Sequence, residues 1–579
     1  MKRGFRIHKN IILGITSSAV LLTIIQPPYH WSILSWIAWV PFIFTCCTAY
    51  TVKPLLVTAY SVAVIYWLFN LYWIHPITFP GWIGLSLYLG LLWPVAAYTI
   101  RFCRQKNIPL ILSCSVVLTG IEVLQGHPID GFFWRFLAHS QYRQVRLIQI
   151  ADVVGASGVS FLVAMTNGFV VEALLAITNK RWFPQRVMLS LFITVAAIVG
   201  ALLYGTQRLQ AYSRDRHPGP LVAAVQSNVP QSVKESLQEA TGIFNDLMAL
   251  SRSAAQHSVD LIVWPETMVQ CIMDPNLQAY LISRDTWKLF DTALRNHADS
   301  TTNVLIGAYG GANLTQNEDG SLALEQCNSA FLYHKDGTQD PNRYDKLHLI
   351  LFGEYLPFKH SWPWLHRQLI RLTPYDYDYS LTPGTKRTIF HIQSQQANDV
   401  TASPQDHKDY RFGVLICYED TIDDLTRGFI LDQNGQKRVD WLVNISNDGW
   451  FVRFDHNEVT PTSELVQHLA SSVFRAVENR IGILRSVNTG ISCLIDPCGR
   501  LRDGFKQASE GFPDKVESRQ GLAGWFIDEM PIDTGVSLFS RYGPWFGRVC
   551  AISVVLLLLW GLFEKRRAGH PAHRKRSRE

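Results

Sequence analysis

The sequence lacks the cysteine spacing of a metal-bound or disulfide-dense scaffold. Its ten cysteines are spread over 579 residues, with no CxxC pair and no Cys/His cluster at zinc spacing, which argues against a structural metal site or a small cross-linked fold. Five of them, Cys46, Cys47, Cys103, Cys114 and Cys550, lie in apolar runs, where a thiol serves as a small buried hydrophobe. There is no Gly-rich phosphate loop and no internal repeat. Charge is scarce inside the long apolar runs. The formal net charge of +6 sits largely in the termini and in short loops between those runs, so it reads as a membrane-orientation signal and not as a nucleic-acid surface.

What is present is a chain of two characters. Apolar stretches long enough for spanning helices recur near 10–26, 32–49, 54–74, 81–100, 108–125, 156–178 and 187–206, with an eighth near 547–563. The expected organisation is a membrane domain over 1–207 with about seven spans, an extracytoplasmic domain over 208–545, and a last span with a basic tail over 546–579. Met1-Lys2-Arg3 before an apolar run resembles a signal peptide, but further spans follow at once, so the first helix is expected to be retained.

Lys and Arg alternate with the parity of the spans. They occur at the N-terminus (Lys2, Arg3, Arg6, Lys9) and after spans two (Lys53), four (Arg101, Arg104, Lys106) and six (Lys180, Arg181, Arg186), and are missing from the loops after spans one and three. This places both termini in the cytoplasm and 208–545 on the extracytoplasmic side of the membrane. The segment 126–155, with Phe132, Phe133 and Trp134, reads equally as an interfacial segment or as a plain connection.

In the polar part, short apolar or β-branched runs at 221–225, 261–264, 304–306, 412–417, 441–445 and 481–487 alternate with helical periodicity over 235–257 and 462–479. That pattern predicts an α/β layered domain. Three segments place an ionisable group at the end of such a run or beside Gly and aromatic residues: Val263-Trp264-Pro265-Glu266; Tyr344-Asp345-Lys346, followed by Phe352-Gly353-Glu354-Tyr355; and Leu415-Ile416-Cys417-Tyr418-Glu419. Singly, a capping carboxylate, a solvated lysine and a core cysteine would explain them. The set of three, in this order, points to chemistry.

These segments resemble the nitrilase (carbon–nitrogen hydrolase) superfamily, and with apolar spans on both sides the chain is similar to its membrane-bound apolipoprotein N-acyltransferase family. The resemblance extends over Gln226-Ser227-Asn228-Val229-Pro230-Gln231, Asn444-Ile445-Ser446-Asn447-Asp448-Gly449-Trp450-Phe451 and Arg485-Ser486-Val487-Asn488-Thr489-Gly490. It also includes Gln149-Ile150-Ala151-Asp152 with Gly155 and Gly158. It implies an α-β-β-α sandwich beside a polytopic helical domain of about eight spans. It also implies Cys417 as nucleophile, Glu266 as general base and acid, and Lys346 as oxyanion stabiliser. Glu354 would hold Lys346 or assist proton transfer, Tyr418 and Glu419 would shape the pocket wall, and Gln226, Asn228, Trp264, Asn447 and Trp450 would contact substrate. The implied reaction moves an acyl group from a phospholipid, through a cysteine thioester, to the amine of a diacylglyceryl-cysteine apolipoprotein. It needs no metal and no cofactor, and the expected state is a monomer.

Two departures from the family pattern bear on the acceptor. Glu235 follows Lys234 where a Trp is common, and 452–467 is longer and more charged than the usual turn. The aromatic insert 358–382, with Trp362, Trp364, Leu365, Leu369 and Ile370, suits lipid contact, the other reading being a packed lid. Two rival functions are a membrane-tethered amidase that uses water as acceptor and a catalytically dead scaffold or transporter-like protein.

Overall fold

The computed structural model describes residues 2–127, 131–179, 184–234, 239–277, 284–316, 322–359, 361–371, 373, 377–394, 408–455 and 458–569. The chain forms two compact units: Met1–His75, Phe79–Leu209 and Tyr542–Glu579 make one, and Pro76–Thr78 with Gln210–Arg541 make the other. Glu235 and parts of the insert 358–382 lie outside the described residues.

The first unit is helical. Five of its described helices are long and apolar enough to cross a membrane: Val52–Asn70, Phe79–Gln105, Ala156–Thr178, Gln185–Asp215 and Trp545–Arg567. The other three expected positions hold shorter apolar stretches, Ser32–Thr48, Leu110–Gly126 and His8–Ile24, the last being part of the helix Lys2–Ile24, so among the described residues five of about eight expected spans reach the full length. The shortfall at 32–48 has a local cause. A 3-10 turn over Ser32–Trp36 gives way to α-helix only at Val40, with Pro41 in the first turn, where a missing N–H is tolerated.

Several charged groups inside this unit find partners within it, as a dry environment favours. Asp152 pairs with Arg208 Nε at 2.9 Å and accepts the Tyr204 hydroxyl at 2.6 Å. Glu172 accepts the Leu110 N–H and the Ser190 hydroxyl. Gly120 permits close helix packing, since a Cβ there would fall 2.6 Å from the Cys550 backbone oxygen. Phe132 and Trp134 are buried, Trp134 against Trp73 and Phe132 against Trp67. Their aromatic surface packs inside the unit, which corrects the interfacial reading for these two residues.

Among the described residues the second unit holds fifteen strands. They are β1 (His217–Gln226), β2 (Leu261–Val263), β3 (Val269–Ile272), β4 (Asn303–Gln316), β5 (Leu322–Tyr333), β6 (Gln339–Asp345), β7 (Ile389–Ser394), β8 (Lys408–Ile416) and β9 (Trp441–Asn447). Then come β10 (Arg453–Asp455), β11 (Glu458–Thr460), β12 (Gly482–Asn488), β13 (Cys493–Ile495), β14 (Gln507–Ala508) and β15 (Gly524–Ile532). One sheet runs β14-β15-β1-β2-β4-β5-β6, with β3 beside β4; the other runs β13-β12-β9-β8-β7. In the centre of each sheet the strands are parallel (β1-β2-β4 and β8-β9-β12), so their carboxyl ends point one way.

The two sheets pack face to face. Ser486 of β12 reaches across to donate to the backbone oxygens of Val225 and Val263 at 2.7 and 2.9 Å. On the outer face of the first sheet, the helix Ala240–Ala255 buries Ile243, Phe244, Leu247 and Met248 at three- and four-residue spacing. These meet Ala223, Val225, Trp264 and Phe290, and each fully buried large side chain contributes about 1.5–3 kcal/mol relative to exposure. The helix Ser463–Asn479 covers the other sheet, completing four layers, α-β-β-α. The long segment after Phe451 forms the β10-β11 hairpin, with 456–457 outside the described residues.

Candidate active site

Three strands, β2 and β6 of one sheet and β8 of the other, end close together, and each is followed by one reactive side chain. Strand β2 ends at Val263, and the turn Trp264-Pro265-Glu266 presents the carboxylate. Gly307 lets this turn approach β4, because a Cβ would fall 2.4 Å from the Pro265 oxygen. Glu266 is buried, and both its oxygens are held. Oε1 accepts from Asn328 Nδ2 at 2.7 Å and lies 3.3 Å from Lys346 Nζ, while Oε2 accepts the Asn447 backbone N–H at 2.8 Å.

Lys346 follows the last residue of β6, its N–H donating to the Asn328 oxygen at 2.8 Å. Its side chain is only 1% exposed and reaches Glu354 Oε1 at 2.8 Å as well as Glu266. Burial alone pulls the ammonium down, but Glu354 first and then Glu266 outweigh it and hold Lys346 well above the ordinary lysine range. Glu354 is itself fixed by the Ile350 N–H at 2.9 Å and by Asn328 Nδ2 at 3.0 Å. Removing one partner of such a buried pair costs about 3–5 kcal/mol.

Cys417 is the first residue after β8. It adopts a positive φ of 54° and opens the 3-10 turn Cys417–Thr421. A non-glycine residue there is strained by about 1–2 kcal/mol, and Asn444 Nδ2 holds the peptide by donating to the Cys417 oxygen at 3.1 Å. Burial, then the Glu266 charge, pushes the thiol up; Lys346 and His468 pull it down. The resting sulfur is therefore protonated, in a site that holds a carboxylate able to take the proton and an ammonium able to face a developing oxyanion.

The remaining expected site residues separate into groups. Glu419 is fully buried and is no pocket wall. It accepts the N–H groups of Ile416 and Leu347 at 2.7 Å each, that of His348 at 3.1 Å, and the Tyr344 hydroxyl at 2.8 Å. Burial pushes its carboxyl up to about 7. Tyr418 lies against the His348 ring at 6.2 Å. Asn447 serves through its backbone on Glu266, while its side chain donates to Gln231 and accepts from Asn488. Trp450 stands partly exposed on the turn Asp448–Phe451.

Two positions expected to meet substrate are occupied elsewhere, and a third, Asn228, has its amide nitrogen engaged. Trp264 is wholly buried in the sheet–helix core against Phe244, because its side chain projects to the helix face of the sheet. Gln226 spends its amide on the Arg519 and Leu522 backbone oxygens and accepts the Ser492 N–H. Asn228 donates to the Gly521 oxygen at 2.9 Å.

Several participants carried no sequence signal. Asn328 sits in mid-strand and bridges both glutamates. Lys234, also buried, donates to the Glu266 backbone oxygen and to Thr267 Oγ1. Among the described residues, Asp448, Glu464 and His468 bring carboxylate and imidazole atoms within 4.8 Å of one another, the spacing of a metal site. Their atoms face each other, and the Arg485 guanidinium lies beside them, so the group reads as an ion-pair network.

Comparison with known proteins agrees with this layout. Residues 221–512 match the carbon–nitrogen hydrolase family, and residues 18–169 match the apolipoprotein N-acyltransferase N-terminal domain. The apolipoprotein N-acyltransferase of Geobacter metallireducens is 28% identical over 556 residues, covering 93% of this chain and 93% of that protein. The enzyme of the same name from Bradyrhizobium diazoefficiens is 26% identical over 440 residues, covering 75% and 72%. An amidase from Nesterenkonia sp. is 13% identical, covering 55% of this chain and 92% of that one, with a TM-score of 0.33. With the family match spanning half its length and containing Glu266, Lys346 and Cys417, the chain belongs to the carbon–nitrogen hydrolase family.

Proposed function

We propose that this chain is an apolipoprotein N-acyltransferase, moving a fatty acyl group from a phospholipid to the α-amine of a diacylglyceryl-cysteine. The observation that carries the reading is the buried Glu266–Lys346–Cys417 constellation in a chain that also holds an apolar helical unit. The relatives' shared name supports the same activity.

In the first half-reaction the Cys417 sulfur attacks the ester carbonyl of the phospholipid while Glu266 takes its proton. Lys346 faces the oxyanion of the tetrahedral intermediate. The C–O bond then breaks, the lysophospholipid alkoxide takes the proton from Glu266, and a thioester remains. In the second, the lipoprotein amine attacks the thioester, Glu266 accepts an amine proton, and the thiol leaves reprotonated. Glu354 keeps Lys346 charged throughout. The site needs neither metal nor cofactor.

The domain at 208–545 works on the extracytoplasmic side of a bacterial inner membrane, with 1–207 and 546–579 as its anchors and both termini cytoplasmic. The parity of the basic loops supports this, and the enzyme acts as a monomer. The test is to incubate the purified protein with phospholipid and weigh the Cys417 peptide, then add a diacylated lipopeptide. An acyl adduct on Cys417 that passes to the lipopeptide amine is expected. No adduct, or transfer by Cys417→Ala, would overturn the mechanism; an adduct lost only to water would favour an amidase.

A further inference from the structure

Behind the cysteine turn lies a second cluster of buried charge. His468, on the helix Ser463–Asn479, sends Nε2 to Asp420 Oδ1 at 2.8 Å. Its Nδ1 lies 3.4 Å from Asp448 Oδ1 and 3.5 Å from Glu464 Oε1. All four side chains are almost inaccessible. An imidazole flanked by carboxylates on both nitrogens has donors on both, which is the imidazolium.

The carboxylates lead in two directions. Asp420 is three residues beyond Cys417 in the same 3-10 turn, where it also accepts from Ser472 Oγ and Arg485. Asp448 adjoins Asn447, whose backbone N–H grips Glu266. One ring therefore ties the nucleophile's turn to the base's anchor.

We propose that His468, as an imidazolium, is a positioning residue for Cys417 and Glu266 at once, and that its charge sets how readily the Cys417 thiol ionises. The proposal rests on the reading of Cys417 as nucleophile. The charged groups facing His468 are Asp420 from the cysteine turn, Asp448 after β9, Glu464 from its own helix and Arg485 from β12; those facing the thiol from the other side are Glu266 and Lys346. Asp420, Asp448 and Glu464 face a single guanidinium, and burial, then the Asp448 charge, pushes the Glu464 carboxyl up to about 7, so a neutral His468 would leave between one and two uncompensated negative charges behind the thiol. The imidazolium removes one of them. The direct pull of His468 on the thiol agrees in sign.

The test is the pH dependence of Cys417 alkylation by iodoacetamide in the full-length protein in detergent, read by mass spectrometry of the Cys417 peptide. It needs no acyl donor, so an absent acyl transfer would sink the proposed function without touching this result. His468→Gln, which keeps one hydrogen bond and loses the charge, should raise the midpoint by at least about 0.5 unit and slow alkylation at neutral pH about threefold or more. Glu464→Gln removes a facing carboxylate and should move the midpoint the other way, a sign that packing damage does not produce. Unshifted midpoints in both variants, or an upward shift in Glu464→Gln, would overturn the proposal. If His468→Gln fails to fold, the direction in Glu464→Gln decides alone.

Discussion

Glu419 Oε1 accepts the Leu347 N–H at 2.7 Å while Oε2 accepts the Ile416 N–H at 2.7 Å. One carboxylate thus clamps the residue after the lysine to the residue before the cysteine. Glutamine would turn an NH2 toward N–H groups that need an acceptor. We expect Glu419→Gln to lose about 1–3 kcal/mol of stability and to slow acyl-thioester formation about 10²-fold through misplacement. A time course of Cys417 acylation checks this beside the thermal midpoint, and a wild-type rate would refute the clamp.

Asn328 donates to Glu266 and Glu354 through one amide. Asn328→Leu removes two hydrogen bonds from buried carboxylates, whereas Asn328→Asp adds a third negative charge around a single lysine. Acylation at neutral pH should therefore fall in both variants and fall further in Asn328→Asp, by about tenfold or more between the two. Equal rates in the two would show that the amide fills space and does not balance charge.

His297 offers a pH test away from the catalytic set. Its Nε2 lies 2.9 Å from Ser251 Oγ, and burial, with Arg252 adding, lowers its pKa to about 4. Between about pH 4 and 6.5 the unfolded chain binds a proton that the folded chain refuses, so stability rises with pH across that window. The contribution is complete above about pH 6.5 and is lost as pH falls toward about 4, at most about 3 kcal/mol. Thermal midpoints between pH 4 and 7 should climb less steeply in His297→Gln than in wild type. Parallel curves would count against a neutral buried imidazole.

How legible such features are depends on where partners sit in the chain. Glu266 and Cys417 stood out because each follows a strand whose apolar run stops at a turn, and Lys346 because Phe352-Gly353-Glu354-Tyr355 follows it closely, patterns confined to a few neighbouring residues. Trp264 misled for the same reason: it neighbours Glu266 in sequence, but strand alternation sends its ring to the helix layer. Asn328 and His468 left no local trace, since their partners lie 62 and 48 positions away. The fold shows the same limit. Strands β1, β2, β8, β9 and β12 read as apolar runs, but β5 was hidden by Glu325, Gln326 and Asn328, of which Asn328 bonds the carboxylates of the site. In the membrane part, hydropathy located the apolar segments, while helix length depended on breaks such as that between Trp36 and Val40.

The insert after Glu354 yields the last prediction. Its helix Pro363–Ile370 buries His366, while Trp362 and Trp364 are 54% and 57% exposed with ring centres 6.2 Å apart. Two indoles left in water are costly for a loop that only packs as a lid, whereas the headgroup region accepts an amphipathic ring. An acyl donor arriving from a bilayer would use such a surface to enter. In vesicles, brominated lipids should quench fluorescence that is lost in the Trp362→Ser, Trp364→Ser double variant. That variant should raise the apparent KM for phospholipid several-fold, about the loss of 1–2 kcal/mol of interfacial binding, and leave iodoacetamide alkylation of Cys417 unchanged. Equal quenching in variant and wild type would return the insert to a packed lid.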